Sequence, residues 1–252
     1  MIQIENISKR YGKKMSLQNV SMTIEKGEIY GLLGSNGAGK STLLSILATI
    51  SEPTSGEITI DGLSLRKKKK QIRDRIGYVP QDIALWEDQT VKENMVLWSK
   101  FAKQHVSDKQ LYDICQMVQL GEKWHEKVSS LSGGMKRKLN IAVALIHNPD
   151  ILLMDEPTVG IDIQSKLEIN HYIRQLAQQG KTIIYTTHDM SEILFLCEKV
   201  GILKEGVLQF SGTLEQARKK AGVEGITTTN DEELLYYLFE YGIKIADINR
   251  ER

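Results

Sequence analysis

One segment near the N-terminus has the residue types and spacing to bind a phosphate chain. It reads as a glycine, four further residues and then Gly-Lys-Ser. Glycines in such a loop let backbone N–H groups approach a phosphate, the lysine adds positive charge, and the following hydroxyl can ligate Mg²⁺. Here the lysine is Lys40 and the hydroxyl is Ser41, so we predict a site for a nucleoside triphosphate and a metal ion. The predicted nucleotide-binding residues are Gly34, Ser35, Asn36, Gly37, Ala38, Gly39, Lys40, Ser41 and Thr42.

Two acidic residues and a histidine follow later apolar runs. Asp155 and Glu156 come directly after Ile-Leu-Leu-Met, and His188 follows Thr-Ile-Ile-Tyr-Thr-Thr. The carboxyl ends of parallel strands meet at one edge of a sheet, so we expect all three residues beside the phosphate loop. There Asp155 can hold the metal, Glu156 can accept a proton from an attacking water, and His188 can reach the γ-phosphate.

A second segment suited to an anion is Leu131-Ser-Gly-Gly134, which opens an apolar helix that runs to Ile146. A serine hydroxyl and two glycines at a helix N-terminus present hydrogen-bond donors to negative charge. Taken alone, this pattern is also that of an ordinary helix cap. Because the chain has a complete phosphate loop elsewhere, we interpret Ser132, Gly133 and Gly134 as a second clamp on ATP.

The elements around these residues alternate in a way that predicts their arrangement. Before the loop, two strand patterns alternate apolar and polar residues, as half-exposed antiparallel strands do. From about residue 84 to 148 apolar residues recur at helical spacing, whereas strands and helices alternate on both sides. We therefore predict an α/β fold with an N-terminal antiparallel β-subdomain and a helical subdomain inserted at 84–148. The predicted strands are 2–7, 20–24, 28–33, 57–60, 151–154, 182–186, 200–203 and 207–210, and further predicted helices are 42–48, 91–102, 109–118, 162–179 and 190–198.

Length and composition restrict the class of protein. The 252 residues allow one large core with a subdomain, and 41% hydrophobic and 26% charged residues are ordinary for a globular chain. A net charge of +1 gives no general argument for a nucleic acid partner. No apolar run approaches the roughly 20 residues that span a bilayer, and the first residues lack the pattern of a signal peptide. Cys115 and Cys197 fall in predicted helices without metal-ligand spacing, so we expect free thiols in a reducing cytoplasm.

The order of the motifs resembles that of one family. A phosphate loop, Leu-Ser-Gly-Gly, an Asp-Glu strand end and a histidine follow one another as in the nucleotide-binding subunits of ATP-binding-cassette (ABC) transporters, over roughly residues 1–215. The resemblance implies a P-loop NTPase (RecA-like) core, with ATP and Mg²⁺ as cofactors. It also implies ATP hydrolysis in a head-to-tail dimer, in which ATP lies between the phosphate loop of one subunit and the Ser132 segment of the other.

Further site residues are implied by their places in the family's motifs. Tyr11 in Lys-Arg-Tyr-Gly matches the aromatic residue that stacks on adenine. Gln81 in Tyr-Val-Pro-Gln matches the glutamine that contacts Mg²⁺ and senses the membrane subunit. Asp162 in Val-Gly-Ile-Asp matches the aspartate at the dimer interface, while Glu156 and His188 match the general base and the switch histidine. The implied metal-binding residues are Ser41, Gln81 and Asp155.

Two residues depart from the family's usual pattern. Met135 stands where the signature usually has glutamine, and Ile161 where leucine usually precedes the aspartate. A methionine cannot donate the hydrogen bonds of an amide, but we expect activity to survive through Ser132 and its glycines. Leu-Ser-Gly-Gly-Met-Lys-Arg resembles the branch that serves two-component exporters with a separate ABC-2 type membrane subunit. The resemblance therefore implies an integral-membrane partner and a place at the cytoplasmic face of the membrane.

Two other functions are compatible with a nucleotide-binding chain. One is a soluble ATPase of DNA repair or chromosome organisation, although those relatives insert long coiled coils or add DNA-binding domains. The other is a regulatory module that senses ATP and hydrolyses it only incidentally. The presence of Asp155, Glu156 and His188, which are suited to hydrolysis, argues against this role. We therefore predict an ATPase that powers a membrane transporter, and we expect no nucleic acid partner.

Three segments lie outside these motifs. The basic run at 66–70 is typical of a solvated surface, but it also suits anionic lipid or nucleic acid. Leu85 and Trp86 are apolar residues in a loop, and they either pack on the protein or meet a helix of the membrane subunit. Residues 1–220 are predicted to form the ATPase domain, and 221–252 an accessory segment with a helix at 231–240 and a strand pattern at 243–248.

Overall fold

The structure of the protein, a computed structural model, describes residues 1–223, 228 and 230–241. Strands and helices alternate along this part of the chain. The strands are β1 (Ile2–Tyr11), β2 (Lys14–Ile24), β3 (Ile29–Leu33), β4 (Ser55–Ile60), β5 (Leu63–Ser64), β6 (Ile76–Val79), β7 (Ile151–Asp155), β8 (Thr182–Thr187), β9 (Lys199–Lys204) and β10 (Val207–Thr213). The helices are α1 (Lys40–Leu47), α2 (Lys69–Arg73), α3 (Val91–Ser99), α4 (Asp108–Met117), α5 (Gly133–Leu145), α6 (Ile163–Gln178), α7 (Met190–Leu196), α8 (Leu214–Val223) and α9 (Asp231–Tyr241).

The N-terminal strands form the predicted antiparallel sheet, in the order β2-β1-β4-β5. β1 pairs with β2 on one side and with β4 on the other. Ile2 and Ile4 are buried while Glu5 is exposed, in keeping with the alternation read from the sequence. The buried face packs in one apolar cluster with Leu43 and Leu44 of α1, so this sheet covers the helix that follows the phosphate loop.

The second sheet carries the phosphate loop and the acids. Its order is β10-β9-β3-β8-β7-β6, with β9 and β10 antiparallel and the other pairs parallel. Every residue of β3, β7 and β8 is buried, which is why these strands read as continuous apolar runs. In the register, Leu33 pairs with Thr187 and Asp155 pairs with Thr186. The carboxyl ends of the three strands therefore lie at one edge, as predicted.

The predicted helical insert contains α3, α4 and α5 and two short 3₁₀ turns, Gly121–Lys123 and Val128–Ser130. Both α3 and α4 begin with a capping box, formed by Thr90 with Glu93 and by Ser107 with Gln110. These helices share an apolar cluster of their own, which includes Leu111 and Leu139. The insert therefore has a separate core beside the α/β core, and it presents the start of α5 to solvent.

The C-terminal helices pack against the far edge of the second sheet. Leu234, Leu235 and Leu238 of α9 share an apolar cluster with Phe210 of β10 and with Leu33, the last residue before the phosphate loop. Lys204 Nζ donates to the carbonyl of Glu240 at 2.7 Å, which satisfies a terminal carbonyl of α9. The strand pattern at 243–248 lies outside the described residues.

Several elements differ from the sequence predictions. The patterns do not predict α2, β6 or α8, and α2 has a single buried residue, Ile72, among basic and polar neighbours. Helix α7 ends at Leu196, so Cys197 lies just beyond it in an extended conformation and not within the predicted helix. Cys115 is buried in α4, and both thiols are free. None of the helices in the described residues has the length and apolar character needed to cross a membrane.

Candidate functional site

Lys40 lies at the centre of the candidate site, at the start of α1. Its ammonium group donates to the carbonyls of Gly34 (2.6 Å) and Ser35 (3.2 Å), so the phosphate loop wraps around it. The same Nζ lies 3.0 Å from Glu156 Oε1, and both side chains are about 95% buried. A buried cation and a buried carboxylate are therefore held in direct contact at the edge of the sheet.

The loop glycines are required for two different reasons. A Cβ on Gly34 would meet the carbonyl of Leu203 at 2.6 Å, and one on Gly39 (φ +107°) would meet the carbonyl of Ser16 at 2.6 Å. Gly37 has φ +81° and open space around its α-carbon. From the sequence, all three glycines are expected to leave space for phosphate. In the structure, Gly34 and Gly39 are fixed by close packing against neighbouring strands, and only Gly37 faces open space.

A turn between β9 and β10 supports the loop from behind. The N–H of Gly206 donates to the carbonyl of Ala38 at 2.9 Å, and its own carbonyl accepts from the N–H of Gln18 at 2.8 Å. On the other side of the loop, the hydroxyls of Thr42 and Ser16 lie 2.8 Å apart. The loop conformation is therefore fixed by contacts from β2 and from the β9–β10 turn.

The acids lie at the carboxyl end of β7 as predicted, Asp155 as its last residue and Glu156 directly after it, and Thr186 on β8 contacts both. Its hydroxyl donates to Asp155 Oδ1 at 2.8 Å and accepts from the backbone N–H of Glu156 at 3.0 Å. Glu156 has φ +45°, a left-handed conformation that is unusual for a residue with a side chain. This turn directs the Glu156 carboxylate back towards Lys40.

His188 follows β8 directly and has about half of its side chain exposed. Its Nδ1 lies 3.4 Å from Glu156 Oε2, so Lys40, Glu156 and His188 form a continuous chain of contacts. The predicted base and the predicted switch histidine are thus neighbours. One end of the chain is buried and the other end reaches solvent.

An open cleft of about 350 Å³ lies over the phosphate loop. It brings together Tyr11, Gln81 and Glu156 with the predicted loop residues Ser35, Asn36, Gly37, Gly39, Lys40, Ser41 and Thr42. Tyr11 is half exposed at the edge of this cleft, and Lys9 Nζ lies over its ring, 4.8 Å from the ring centre. Gly34 and Ala38 belong to the same loop but support it from within.

The predicted metal-binding residues supply only oxygen-donor side chains. The Ser41 hydroxyl and the Gln81 amide lie on the cleft wall, and the Asp155 carboxylate is buried at the end of β7. Within the described residues, no three His, Cys, Asp or Glu side chains are grouped to hold a metal ion alone. This donor set suits Mg²⁺, which binds through few protein ligands and takes its others from phosphates and water.

Ser132 and its glycines form the start of α5, in the helical insert. The Ser132 hydroxyl accepts from the N–H of Met135 at 3.2 Å and so caps the helix, while its hydrogen remains available to a ligand. Gly133 is exposed, and a Cβ added there would have no neighbouring heavy atom within 4 Å, whereas Gly134 is buried against Ser165. Met135 packs against the apolar cluster of the insert, which explains how an apolar residue is accommodated there.

Asp162 caps α6 and lies close to the same segment. Its carboxylate accepts from the N–H (2.9 Å) and the hydroxyl (2.7 Å) of Ser165, and these bonds lower the pKa of Asp162. An added Cβ on Gly134 would meet Asp162 Oδ2 at 3.4 Å. Ser132, Gly133, Gly134 and Asp162 therefore form a second group, and none of them is among the described residues that line the cleft.

Burial reinforces the neutral state that a tyrosine near the acids already has at physiological pH. Desolvation, with a further contribution from the negative charge of Asp155, raises the pKa of Tyr78 to about 12. Tyr78 is therefore neutral at physiological pH and adds no negative charge to the metal-binding region.

Some residues of the site were not identified from the sequence. Lys14 and Ser16 line the cleft from β2, and Thr186 links the two acids. Nothing in the local pattern of β2 distinguishes Lys14 or Ser16, because their position depends on how the two sheets pack. Thr186 does have a signal: it is a hydroxyl residue at the end of a strand predicted to lie beside the acids.

The chain is similar, in sequence and in fold, to several known ATP-binding proteins. The family model described as ABC transporter matches residues 17–159. The linearmycin resistance ATP-binding protein LnrL of Bacillus subtilis (strain 168) is 42% identical over 228 residues, which are 90% of this chain and 73% of that protein. The Nod factor export ATP-binding protein I of Burkholderia orbicola (strain AU 1054) is 39% identical over 81% of this chain and 68% of its own length. The dimeric post-hydrolysis structure of the ATP-binding cassette MJ0796 with ADP and Pi has a TM-score of 0.76 at 30% identity, over 84% of this chain and 98% of that one.

Proposed function

The chain belongs to the ABC transporter family, and from that membership we propose that it is the ATP-hydrolysing subunit of an exporter. It binds ATP with Mg²⁺, dimerises head-to-tail around the nucleotide and drives a separate membrane-spanning subunit. The similarity to a Nod factor export protein supports the outward direction of transport. With that role, the protein acts at the cytoplasmic face of the membrane, to which its membrane subunit attaches it.

The observation that carries this proposal is the buried contact between Lys40 and Glu156. In the structure, the Lys40 ammonium group contacts two loop carbonyls and the Glu156 carboxylate. A triphosphate in the loop offers Lys40 much stronger negative charge. Lys40 then turns to the phosphates, and the Glu156 carboxylate becomes free to accept a proton from water. The site thus has a base that becomes available only after the substrate has bound.

Each remaining residue has a role set by its position. As water attacks the γ-phosphate, the Glu156 carboxylate takes a proton from it and the bond from the γ-phosphorus to the β–γ bridging oxygen breaks, so that ADP leaves with the bonding electrons. The neighbouring His188 donates to an oxygen of the γ-phosphate. The ring of Tyr11 packs on the adenine at the mouth of the cleft. Ser41, Gln81 and Asp155 would hold Mg²⁺, which would neutralise charge on the phosphates.

A second subunit supplies hydrogen-bond donors that the cleft of a single subunit lacks. Ser132 and Gly133 are exposed donors at a helix N-terminus, but they do not line the cleft of their own chain. A head-to-tail partner brings its Ser132 segment to the far side of the ATP, and Asp162 lies at the same contact. Closure of the dimer therefore completes the site and links hydrolysis to a change of shape.

An exposed groove of about 930 Å³ between the helical insert and the α/β core supports a membrane partner, for which we favour an ABC-2 type subunit. Trp98 and Phe101 lie on its wall, with ring centres 5.8 Å apart. Trp86 is 44% exposed and its ring centre lies 5.4 Å from that of Trp98 in a tilted arrangement, whereas Leu85 packs inward. Leu85 thus follows the first of the two alternatives, packing on the protein, and the exposed part of Trp86 adds to the aromatic surface that we propose for a helix of the membrane subunit.

The experiment uses Glu156→Gln, which keeps the side-chain shape and removes the base. We expect ATP turnover by the purified protein to fall at least about a hundredfold, because general base catalysis is lost. ATP-dependent dimerisation, measured by light scattering, is retained and becomes longer-lived because the nucleotide is not consumed. Glu198→Gln, on an exposed side chain, is the control and keeps wild-type turnover. Full hydrolysis by the Glu156→Gln protein, or hydrolysis by a chain that stays monomeric, would contradict the proposal.

A further inference from the structure

Glu192 on α7 is a buried carboxylate that the proposed mechanism does not use. Only 2% of its surface is exposed. Its Oε1 accepts from the hydroxyl of Thr158 and lies 3.1 Å from Lys166 Nζ, and its Oε2 accepts from the hydroxyl of Thr187 at 2.6 Å. A buried charge is costly unless it is fully paired, and each oxygen of this one has a partner.

The partners of Glu192 come from the two segments that carry the reacting groups. Thr187 directly precedes His188, and Thr158 follows Glu156 by two residues. The Thr187 hydroxyl also accepts from the N–H of Asp189 at 3.0 Å, so the turn that presents His188 is held on both sides of the histidine. Glu192 therefore joins the chain after β7 to the chain after β8, directly behind the contact between Glu156 and His188.

Lys166 extends this connection to the second group of site residues. Its Nζ lies 2.5 Å from Asp189 Oδ2 and 3.1 Å from Glu192 Oε1. Lys166 is on the first turn of α6, the helix that Asp162 caps. Lys166 therefore connects the start of α6, which Asp162 caps, to the turn that holds His188.

We propose that Glu192 and Lys166 act as positioning residues, which hold His188 against Glu156 and transmit contact at Asp162 to the hydrolytic centre of the same subunit. The proposal rests on the ATPase function proposed above. Neither side chain touches the nucleotide-binding loop, so ATP binding does not depend on them. They act on the rate of hydrolysis through the geometry of His188 and Glu156.

The test measures steady-state ATP hydrolysis of Glu192→Gln and Lys166→Met over a range of ATP concentrations. Misplacement of reacting groups by about 1 Å costs on the order of a hundredfold, so we expect kcat to fall at least about tenfold. KM for ATP stays within about threefold, since the cleft is untouched. The double variant falls no further than the lower single variant, because both changes break one connection. Lys166 is partly exposed, so its variant tests the link even if Glu192→Gln folds poorly.

Lys138→Met is the matched control. Lys138 on α5 pairs with Glu168, which lies two residues after Lys166 on α6, so this variant breaks an ion pair to the same helix without reaching His188. We expect its kcat to stay within about twofold of wild type. Wild-type kcat in both test variants would overturn the proposal. An equal loss of kcat in the Lys138→Met control would also overturn it. So would losses of kcat in the test variants that only match their unfolded fraction in thermal melts. Inactive wild-type protein would instead remove the ATPase function itself.

Discussion

At the scale of single residues, the buried contact between Lys40 and Glu156 leads to a prediction about the affinity for ATP. The loop carbonyls of Gly34 and Ser35 and the Glu156 carboxylate surround the Lys40 ammonium group, so its positive charge lies within the phosphate loop. In the proposed mechanism, the phosphates of ATP replace these partners of Lys40. This arrangement keeps water from separating the ion pair, because both groups are buried.

Replacement of Lys40 by alanine should weaken ATP binding. A hydrogen bond to a charged group contributes about 1.5–3 kcal/mol, so we expect the Kd for ATP to rise by about tenfold to a hundredfold. Equilibrium binding of a fluorescent ATP analogue measures the change. Lys13→Ala, on the exposed turn before β2, is the control and leaves the affinity unchanged. Wild-type affinity in the Lys40→Ala protein would remove the lysine from phosphate binding.

At the scale of elements, α5 and α6 meet where the second group of site residues lies. Gly134 is in the first turn of α5, and Ser165 is in the first turn of α6. A Cβ on Gly134 would lie 2.1 Å from Ser165 Oγ and 2.5 Å from Ser165 Cβ. The glycine therefore allows the two helix starts to approach, and the hydroxyl it contacts is the one that bonds to Asp162.

Gly134→Ala should therefore destabilise the protein, whereas Gly133→Ala should not. Overpacking of this kind costs about 1–3 kcal/mol, because Ser165 must shift and its bond to Asp162 must weaken. Gly133 has open space at the same position, so an alanine there fits. Urea unfolding of the nucleotide-free variants measures the difference in unfolding free energy. Equal urea concentrations at the unfolding midpoints of the two variants would mean that α5 and α6 are not tightly packed at Gly134.

The strands and helices differ in how well the sequence alone predicts them. The strands β3, β7 and β8 were predictable because they are buried apolar runs followed by chemically distinctive residues. Helix α2 was not, because Lys-Lys-Gln-Ile-Arg has one apolar residue and no period to read. Its basic neighbours Arg66, Lys67 and Lys68 are exposed, as a solvated surface requires.

Contacts between distant segments account for the rest of what the sequence did not reveal. Gly39 and Gly206 both lie against the carbonyl of Ser16, and that contact exists only after β2, the loop and the β9–β10 turn have packed together. Glu192 reads as one charged residue in an apolar helix, and its partners Thr158, Thr187 and Lys166 come from three other segments of the chain. The motif residues are local and could be read directly; the residues that hold them in place could not.

At the scale of the whole molecule, the cleft over the phosphate loop and the aromatic groove are separate surfaces. The groove is lined by residues from α3, α4, α5 and α6, and the cleft by β1, β2 and the phosphate loop. Gln81 lies on the cleft wall, and Trp86 follows it by five residues beside the groove. The short segment between them therefore connects the nucleotide cleft to the edge of the groove.

Phe101→Ser tests this separation of surfaces. Phe101 is 75% exposed and its ring makes a tilted contact with that of Trp98, so the serine removes an apolar anchor of the groove without opening a core. We expect its affinity for the membrane subunit, measured with the two subunits co-expressed and purified in detergent, to fall at least about tenfold. ATP hydrolysis by the isolated protein is unchanged, because Phe101 does not line the cleft.

Ile50→Ser is the matched control for this experiment. Ile50 is 67% exposed and follows α1, away from the groove lining, so its replacement removes a similar amount of apolar surface elsewhere. Loss of the membrane subunit from both variants would mean that general surface hydrophobicity holds the complex together. Retention in both would place the docking surface outside the groove. Loss from Phe101→Ser alone, with hydrolysis intact, is the result that a dedicated groove predicts, since binding of the partner and turnover of ATP then depend on different faces of one subunit.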